Sequence, residues 1–406
     1  MKLPYSRSLV IMLPLGFSSG LPLALTGTTL QAWLSTAGIN IKTIGIFSLV
    51  GIPYAIKFIW SPLMDRFRMP WLDRRRGWII TAQALLVLGL AFMATLSPAQ
   101  NQLEIGTMAM LVAFLSASQD IAIDAYRTEL LRAEERGLGV AMTVTGYRIS
   151  MLVSGALALI LADHAGWMKT YLMMAACMAA CMAATVISPR PEDQDILPRD
   201  IKEAVTGPLG EFFSRQNAMA FILLIVFYKL GDAIAGSLTT AFLIRGPGFS
   251  PSEVGAVNKA FGLISTMAGA FLGGWIMKRA GLFRSLLYFG CLQAVSNLGF
   301  TALALAGKSH ILLIASVAFE NMASGMGTAA FVALIMTLCN KEYTATQYAL
   351  LSAISSVGRV AAGPPSGLMA AMTGWPWFFF LAACASMPGL LLLLWMKDGI
   401  LDMENQ

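Results

Sequence analysis

An all-α integral membrane protein of twelve spanning helices, arranged as two pseudo-symmetric halves of six, is the fold this sequence predicts. Three observations carry it. Hydrophobic residues make up 57% of the 406 and charged residues 12%, against about 45–50% and 25% in an average soluble chain. So few charges cannot clothe a soluble globule of this size. The apolar residues fall in long runs near the length of about 20 that crosses a bilayer. One conspicuously polar stretch, Ser188 to Asn217, with Pro189, Pro191, Pro198 and Pro208 among Asp and Glu, divides those runs into two sets of six.

The runs place helices near 8–34, 42–62, 77–97, 104–127, 138–163, 168–188, 217–245, 251–277, 283–306, 309–337, 345–373 and 376–397. The organisation that follows is an N-terminal half over 1–188, a linker over 189–216, a C-terminal half over 217–397 and a tail over 398–406. Lys2 and Arg7 before an apolar stretch imitate a secretion signal. The stretch runs on to Trp33, however, and more membrane sequence follows, so an uncleaved first helix is expected.

The 28 Lys and Arg test this layout. Nineteen fall on the side of the N-terminus, four (Lys42, Lys169, Arg245 and Lys308) on the other, and five within spans. Positive charge gathers on the cytoplasmic side of a membrane protein, so both termini and the linker are expected in the cytoplasm. The net charge of +6 is this asymmetry seen in bulk, and no nucleic-acid partner is needed to explain it. Five cysteines, an odd number without a Cys-x-x-Cys, argue against a disulfide framework. With His164 and His310 the only histidines, no zinc cluster or metalloprotease motif can be built. Ala306-Gly307-Lys308-Ser309 imitates the end of a phosphate-binding loop, but Ala302 stands where its first glycine belongs, and Gly-x-Ser-x-Gly is absent. No metal, cofactor or enzymatic activity is expected.

An internal repeat is visible. Thr28-Thr29 recurs as Thr239-Thr240, Gly38 and Gly45 as Gly248 and Gly255, and Arg148 as Arg359, all 210 or 211 residues apart. Ser154-Gly155 follows Arg148 by six residues, and Ser366-Gly367 follows Arg359 by seven. Two six-helix halves related by duplication, with a substrate cavity between them near the midplane, resemble the major-facilitator plan. The loop between spans 2 and 3 also resembles a facilitator signature of an acid, a turn and a run of bases: Asp65-Arg66, then Arg74-Arg75-Arg76. Its acid suits a helix end and its arginines suit anionic headgroups. The alternative is a plain positive-inside anchor with no conformational role.

Ionisable groups inside a span cost about 2.5–3.5 kcal/mol each on insertion scales, so each is a functional candidate. Nine occur: Lys57, Arg148, Lys229, Lys259, Arg359, Asp120, Asp124, Asp232 and Glu320. Asp120 and Asp124 share one face of span 4 with Ser116, beside Gln119. Two carboxylates on one face repel, and holding a proton relieves the repulsion, which is what a proton carrier needs. Pairing of Asp124 with Arg127 is the competing reading. Lys229 and Asp232, three apart beside Tyr228 on span 7, suit a substrate amine or carboxylate and proton exchange, or else form a static ion pair. Arg148 and Arg359, at matching depths, suit anionic groups, or pair with Asp120 and Glu320. Lys57 is expected to snorkel. Lys259, Glu320 and Asn321 sit in the outer halves of spans 8 and 10, suited to the substrate's point of access or to helix–helix hydrogen bonds. Gly269-x-x-x-Gly273 and Gly363-Pro-Pro-Ser-Gly367 permit close helix contact, and Pro364-Pro365 must bend or break span 11.

Several segments, taken together, resemble one family. They are Gly20-Leu-Pro-Leu-Ala-Leu-Thr-Gly-Thr-Thr-Leu-Gln31-Ala-Trp33, Ser116-Ala-Ser-Gln119-Asp120-Ile-Ala-Ile-Asp124-Ala, Tyr228-Lys-Leu-Gly-Asp232-Ala and Leu238-Thr-Thr-Ala-Phe-Leu-Ile-Arg245-Gly. Phe319-Glu320-Asn321, Thr346-Gln-Tyr-Ala-Leu-Leu-Ser-Ala and Gly358-Arg359 continue the match. The chain resembles the AmpG-type anhydromuropeptide permeases of Gram-negative bacteria over nearly its whole length. That resemblance implies an inner-membrane carrier that imports N-acetylglucosaminyl-1,6-anhydro-N-acetylmuramyl peptides from periplasm to cytoplasm. It implies a role in cell-wall recycling, in β-lactamase induction where that circuit exists, and energy from the proton gradient. Thr28, Gln31 and Trp33 form a polar, aromatic face in span 1 on which a sugar ring could stack. The substrate set expected is therefore Thr28, Gln31, Trp33, Gln119, Arg148, Tyr228, Lys229, Lys259, Glu320, Asn321 and Arg359. Asp120, with Asp124 and Asp232, is the proton set, and a monomer in the bilayer is the expected state. The competing functions are a drug-efflux antiporter and a non-transporting sensor or lipid flippase. Against the first, span 5 reads Ser154-Gly155-Ala-Leu-Ala where such antiporters carry a Gly-Pro-rich motif.

Overall fold

A computed structural model describes residues 7–61, 64, 67, 69, 70, 72–131, 136–190, 211–214, 217–338 and 344–404. Every regular element among them is helical. Among the described residues, ten helices are long and apolar enough to cross a membrane: α1 (Arg7–Thr36), α3 (Arg74–Ala94), α4 (Gln102–Arg127), α5 (Met142–Ala165), α6 (Trp167–Val186), α7 (Ala218–Arg245), α8 (Pro251–Ala280), α9 (Leu282–Ala306), α10 (His310–Leu338) and α13 (Trp375–Trp395). The element α2 (Ile41–Ile56) is apolar but shorter, and a 3-10 turn over Lys57–Ile59 follows it. Where one long span 11 is expected, the chain forms α11 (Thr344–Ala361) and α12 (Gly363–Thr373). Glutamine, threonine, serine and arginine side chains keep α11 less apolar than the ten. Pro364 and Pro365 stand in the first turn of α12, where a missing N–H breaks no intrahelical bond.

Chain contacts group the residues into two compact units. The first comprises Met1–Ile39, Val50–Arg199 and Ser250–Gly255. Its core includes Met12 and Leu15 of α1, Ile79 of α3, and Ala122, Ile123 and Tyr126 of α4. The second comprises Asn40–Leu49, Asp200–Phe249 and Ala256–Gln406. Leu224, Tyr228, Leu286, Phe331, Leu334 and Leu393 lie at its centre.

The recurring glycines have matching physical jobs. Gly38 and Gly248 follow α1 and α7 with φ of 79° and 77°, a left-handed geometry that costs any residue with a Cβ. A Cβ on Gly45 would lie 2.7 Å from Gly363 O within the second unit, and one on Gly255 would lie 2.7 Å from Ala156 O within the first. Ala156 belongs to a π-helical turn, Leu152–Leu157, set into α5. A second π-helical turn, Val254–Phe261, carries Lys259 in α8. Such turns redirect side chains and gather at functional positions.

Candidate functional site

Within the second unit, α7, α10 and α11 enclose a cavity of about 470 Å³. The path of α7 decides how its charges meet that cavity. The helix stops at Tyr228 and restarts at Leu230, with Lys229 at the joint (φ −102°, ψ 4°). Asp232 therefore sits in the first turn of the second segment, where a helix favours negative charge. Lys229 Nζ lies 3.3 Å from Asp232 Oδ2 and donates to Thr328 Oγ1 at 3.2 Å. Both ionic side chains are less than one-fifth exposed.

Glu320, from α10, and Arg359, from α11, line the same cavity. Glu320 is within electrostatic reach of Asp232, Lys229 and Lys259. Lys259 itself donates to Thr240 Oγ1 at 2.9 Å. Asn321 accepts from Thr266 at 3.0 Å and donates to Val317 O at 3.0 Å, which ties α10 to α8 and leaves its amide occupied in packing. Tyr228 is buried, donates to Leu286 O at 2.9 Å, and stacks on Phe331 with ring centroids 5.7 Å apart. Its neighbours on the helix reach the cavity; its own ring is spent on the core.

The first unit holds the other carboxylates. Ser19 Oγ of α1 donates to Asp120 Oδ1, and Lys57 Nζ lies 3.9 Å from Asp120 Oδ2. Gln119, fully buried, donates to Ser18 Oγ at 3.4 Å, while its Oε1 has no hydrogen-bond partner among the described residues. The Tyr54 hydroxyl lies near Ser116 and Thr26, within electrostatic reach of Asp120. A serine, a lysine and a tyrosine thus gather around one carboxylate in the first unit. Asp124, 57% exposed, pairs with Arg127 at 3.1 Å and remains within electrostatic reach of Asp120. Arg148 is exposed and forms no ion pair with Asp120.

The span 1 face divides. Thr28 and Gln31 are half-buried. Trp33, only 4% exposed, has its ring against Trp167 (5.9 Å) and Tyr171 (4.8 Å). The Trp33 ring expected to receive a sugar is packed against protein instead, because α6 supplies two aromatic rings whose distance along the chain hid them.

In the basic loop, Asp65 and Arg66 lie outside the described residues. Arg75 holds Glu129 at 2.6 Å, Arg74 reaches the same oxygen at 3.5 Å, and Arg76 pairs with Asp73 and donates to Ser188 O at 2.6 Å. The arginines of this loop are thus bound to protein acceptors. Glu129 and Asp73, together with Ser19, Thr328 and the serines of α11, are site residues that sequence reasoning missed. For α11 a signal existed: Ser352, Ser355, Ser356 and Arg359 stand at 0, 3, 4 and 7, one helical face.

The family model described as Major Facilitator Superfamily matches residues 12–363 and 230–400. The chain belongs to that superfamily. Among facilitators it is 53% identical over 385 residues to the Anhydromuropeptide permease of Escherichia coli (strain K12), spanning 95% of this chain and 78% of that one. It is 34% identical over 399 residues to the Rickettsia conorii transporter AmpG 4, spanning 95% of each. It is therefore a membrane transporter of the AmpG type and not an enzyme. In fold it is similar to the nucleoside transporter NupG (D323A mutant), with a TM-score of 0.73, 13% identity, and 96% and 99% of the two chains covered. It is likewise similar to the POT family transporter PepTSo, with a TM-score of 0.72, 10% identity, and 98% and 99% covered.

Proposed function

We propose that this facilitator imports anhydromuropeptides across the bacterial inner membrane, driven by protons. The observation that carries the substrate is the 53% identity, over 95% of the chain, to a protein named for that cargo. The membrane layout proposed is twelve spans in two six-helix halves, with both termini cytoplasmic and the chain working as a monomer. Transport proceeds by alternating access, and the imported muropeptides supply β-lactamase induction where that circuit exists. Asp120 is the proton site: it has a hydroxyl donor in Ser19 and a lysine at 3.9 Å, so a proton gained or lost there changes contacts on α1 and beyond α2. One proton crossing 100 mV supplies about 2.3 kcal/mol, enough for about a fiftyfold gradient. Lys229, Asp232, Glu320 and Arg359, which line the cavity of the second unit, supply polar contacts that a sugar–peptide can use; Thr28, Gln31, Gln119 and Arg148 are the candidate polar contacts of the first unit.

The test is uptake of radiolabelled N-acetylglucosaminyl-anhydromuramyl tripeptide by cells lacking their own permease, with and without a protonophore. Accumulation that collapses with the gradient supports proton-driven import. A membrane-located protein that takes up none of the label overturns the substrate.

A further inference from the structure

The cavity of the second unit has a charge arrangement that transport of muropeptides in general does not assign. Four ionisable side chains line it: Lys229, Asp232, Glu320 and Arg359. Lys229 and Asp232 satisfy each other at 3.3 Å, and Thr328 accepts a further bond from the ammonium. Glu320 and Arg359 are different. Neither has an ion-pair or hydrogen-bond partner among the described residues. They stand on different walls, Glu320 on α10 and Arg359 on α11, and each has hydroxyls beside it on its own helix face. Ser324 lies one turn from Glu320, and Ser355 and Ser356 lie one turn from Arg359.

The four charges sum to zero. A cation bound alone would compensate Glu320 and leave Arg359 without a partner; an anion bound alone would do the reverse. Either remainder leaves one charge of the cavity without a counter-charge, although Arg359 is exposed and Glu320 half-buried. A ligand carrying both signs compensates both at once, and the flanking serines offer it hydrogen bonds. We propose that this cavity takes a dipolar amino-acid group, its ammonium toward Glu320 and its carboxylate toward Arg359. The cavity is thus the seat of the peptide end of the ligand rather than of its sugars. A peptide joined to a sugar acid through its N-terminus keeps no free α-amine. Its dipolar end must therefore be a diamino acid linked through one amine, with the other amine free beside a free carboxylate. The identity of the ligand rests on the muropeptide reading; the polarity of the site does not.

The test uses the purified full chain in lipid nanodiscs and calorimetric binding of four probes. These are a disaccharide tripeptide ending in such a diamino acid, its amine-acetylated form, its carboxamide form, and the peptide-free anhydrodisaccharide. The unmodified protein is expected to bind the first at least about tenfold more tightly than either capped form. In Glu320→Gln the acetylation ratio falls to about one while the amidation ratio persists, and in Arg359→Gln the two ratios exchange roles. Capping that leaves affinity unchanged in the unmodified protein overturns the inference without recourse to any variant, as does Glu320→Gln with an undiminished acetylation ratio. Binding of the disaccharide at the affinity of all three peptides overturns this inference alone. Binding of no probe overturns the muropeptide reading and this inference with it.

Discussion

The Lys229 ammonium and the Asp232 carboxylate, three residues apart at the joint of a broken helix, form an ion pair at 3.3 Å. Each is largely withdrawn from solvent, so removing one strands the other. Lys229→Ala and Asp232→Ala are each expected to lower the melting temperature of the purified protein, and the double substitution to lower it by less than the sum. The coupling expected for partners in contact is about 0.5–3 kcal/mol. Strict additivity in the double-mutant cycle would mean that the pair contributes nothing to the fold.

Asp120 is expected to behave differently from Asp232. Asp120→Asn keeps the shape of the side chain and the hydroxyl of Ser19 beside it, but it carries no exchangeable charge opposite Lys57. Concentrative uptake in cells should fall to the level seen with a protonophore, while exchange of labelled for unlabelled ligand across proteoliposomes continues. Asp124→Asn should leave both nearly intact, since that residue is 57% exposed and already paired with Arg127. Intact accumulation by Asp120→Asn would remove Asp120 from the proton path.

These two carboxylates also mark how far the sequence could be read. Pairings along one helix were legible: Lys229 with Asp232 and Asp124 with Arg127 follow from a spacing of three. Pairings between helices were not. Ser19 meets Asp120 across 101 residues and Arg75 meets Glu129 across 54, and no periodicity says which face of one helix meets which face of another. The break of α7 at Lys229 was equally hidden, because no proline stands at that joint and Gly231, two residues on, lies within the restarted helix. Trp33 shows the cost: its polar, aromatic face was visible in span 1, whereas the rings of Trp167 and Tyr171 that cover it were not.

Glycine contacts give a sharper packing test. A Cβ on Gly269 of α8 would lie 2.2 Å from Met322 O of α10, where backbone must yield, whereas one on Gly274, five residues on, meets nothing within 4 Å. Gly269→Ala is expected to destabilise by about 1–3 kcal/mol through overpacking. Gly274→Ala is expected to be neutral or slightly stabilising, because alanine favours the helix. Melting curves of the two variants in one detergent decide it, and equal melting temperatures would refute the contact.

Asp73 separates the structural from the electrostatic role of the basic loop. Its carboxylate caps α3 by accepting from Arg76 N at 3.3 Å and also pairs with the Arg76 side chain. Alanine at this position removes both, and loss of the cap alone costs about 1 kcal/mol. Asparagine caps a helix as well as aspartate does but has no charge with which to form an ion pair with a guanidinium. If the loop only anchors the helix end, Asp73→Asn should melt and transport like the parent protein, with Asp73→Ala melting lower. If the ion pair participates in transport, Asp73→Asn should keep its melting temperature and lose uptake rate. The second outcome is expected, because Arg76 also holds Ser188 O. Releasing the guanidinium from Asp73 loosens the link between the start of α3 and the chain just beyond α6 without unfolding either helix.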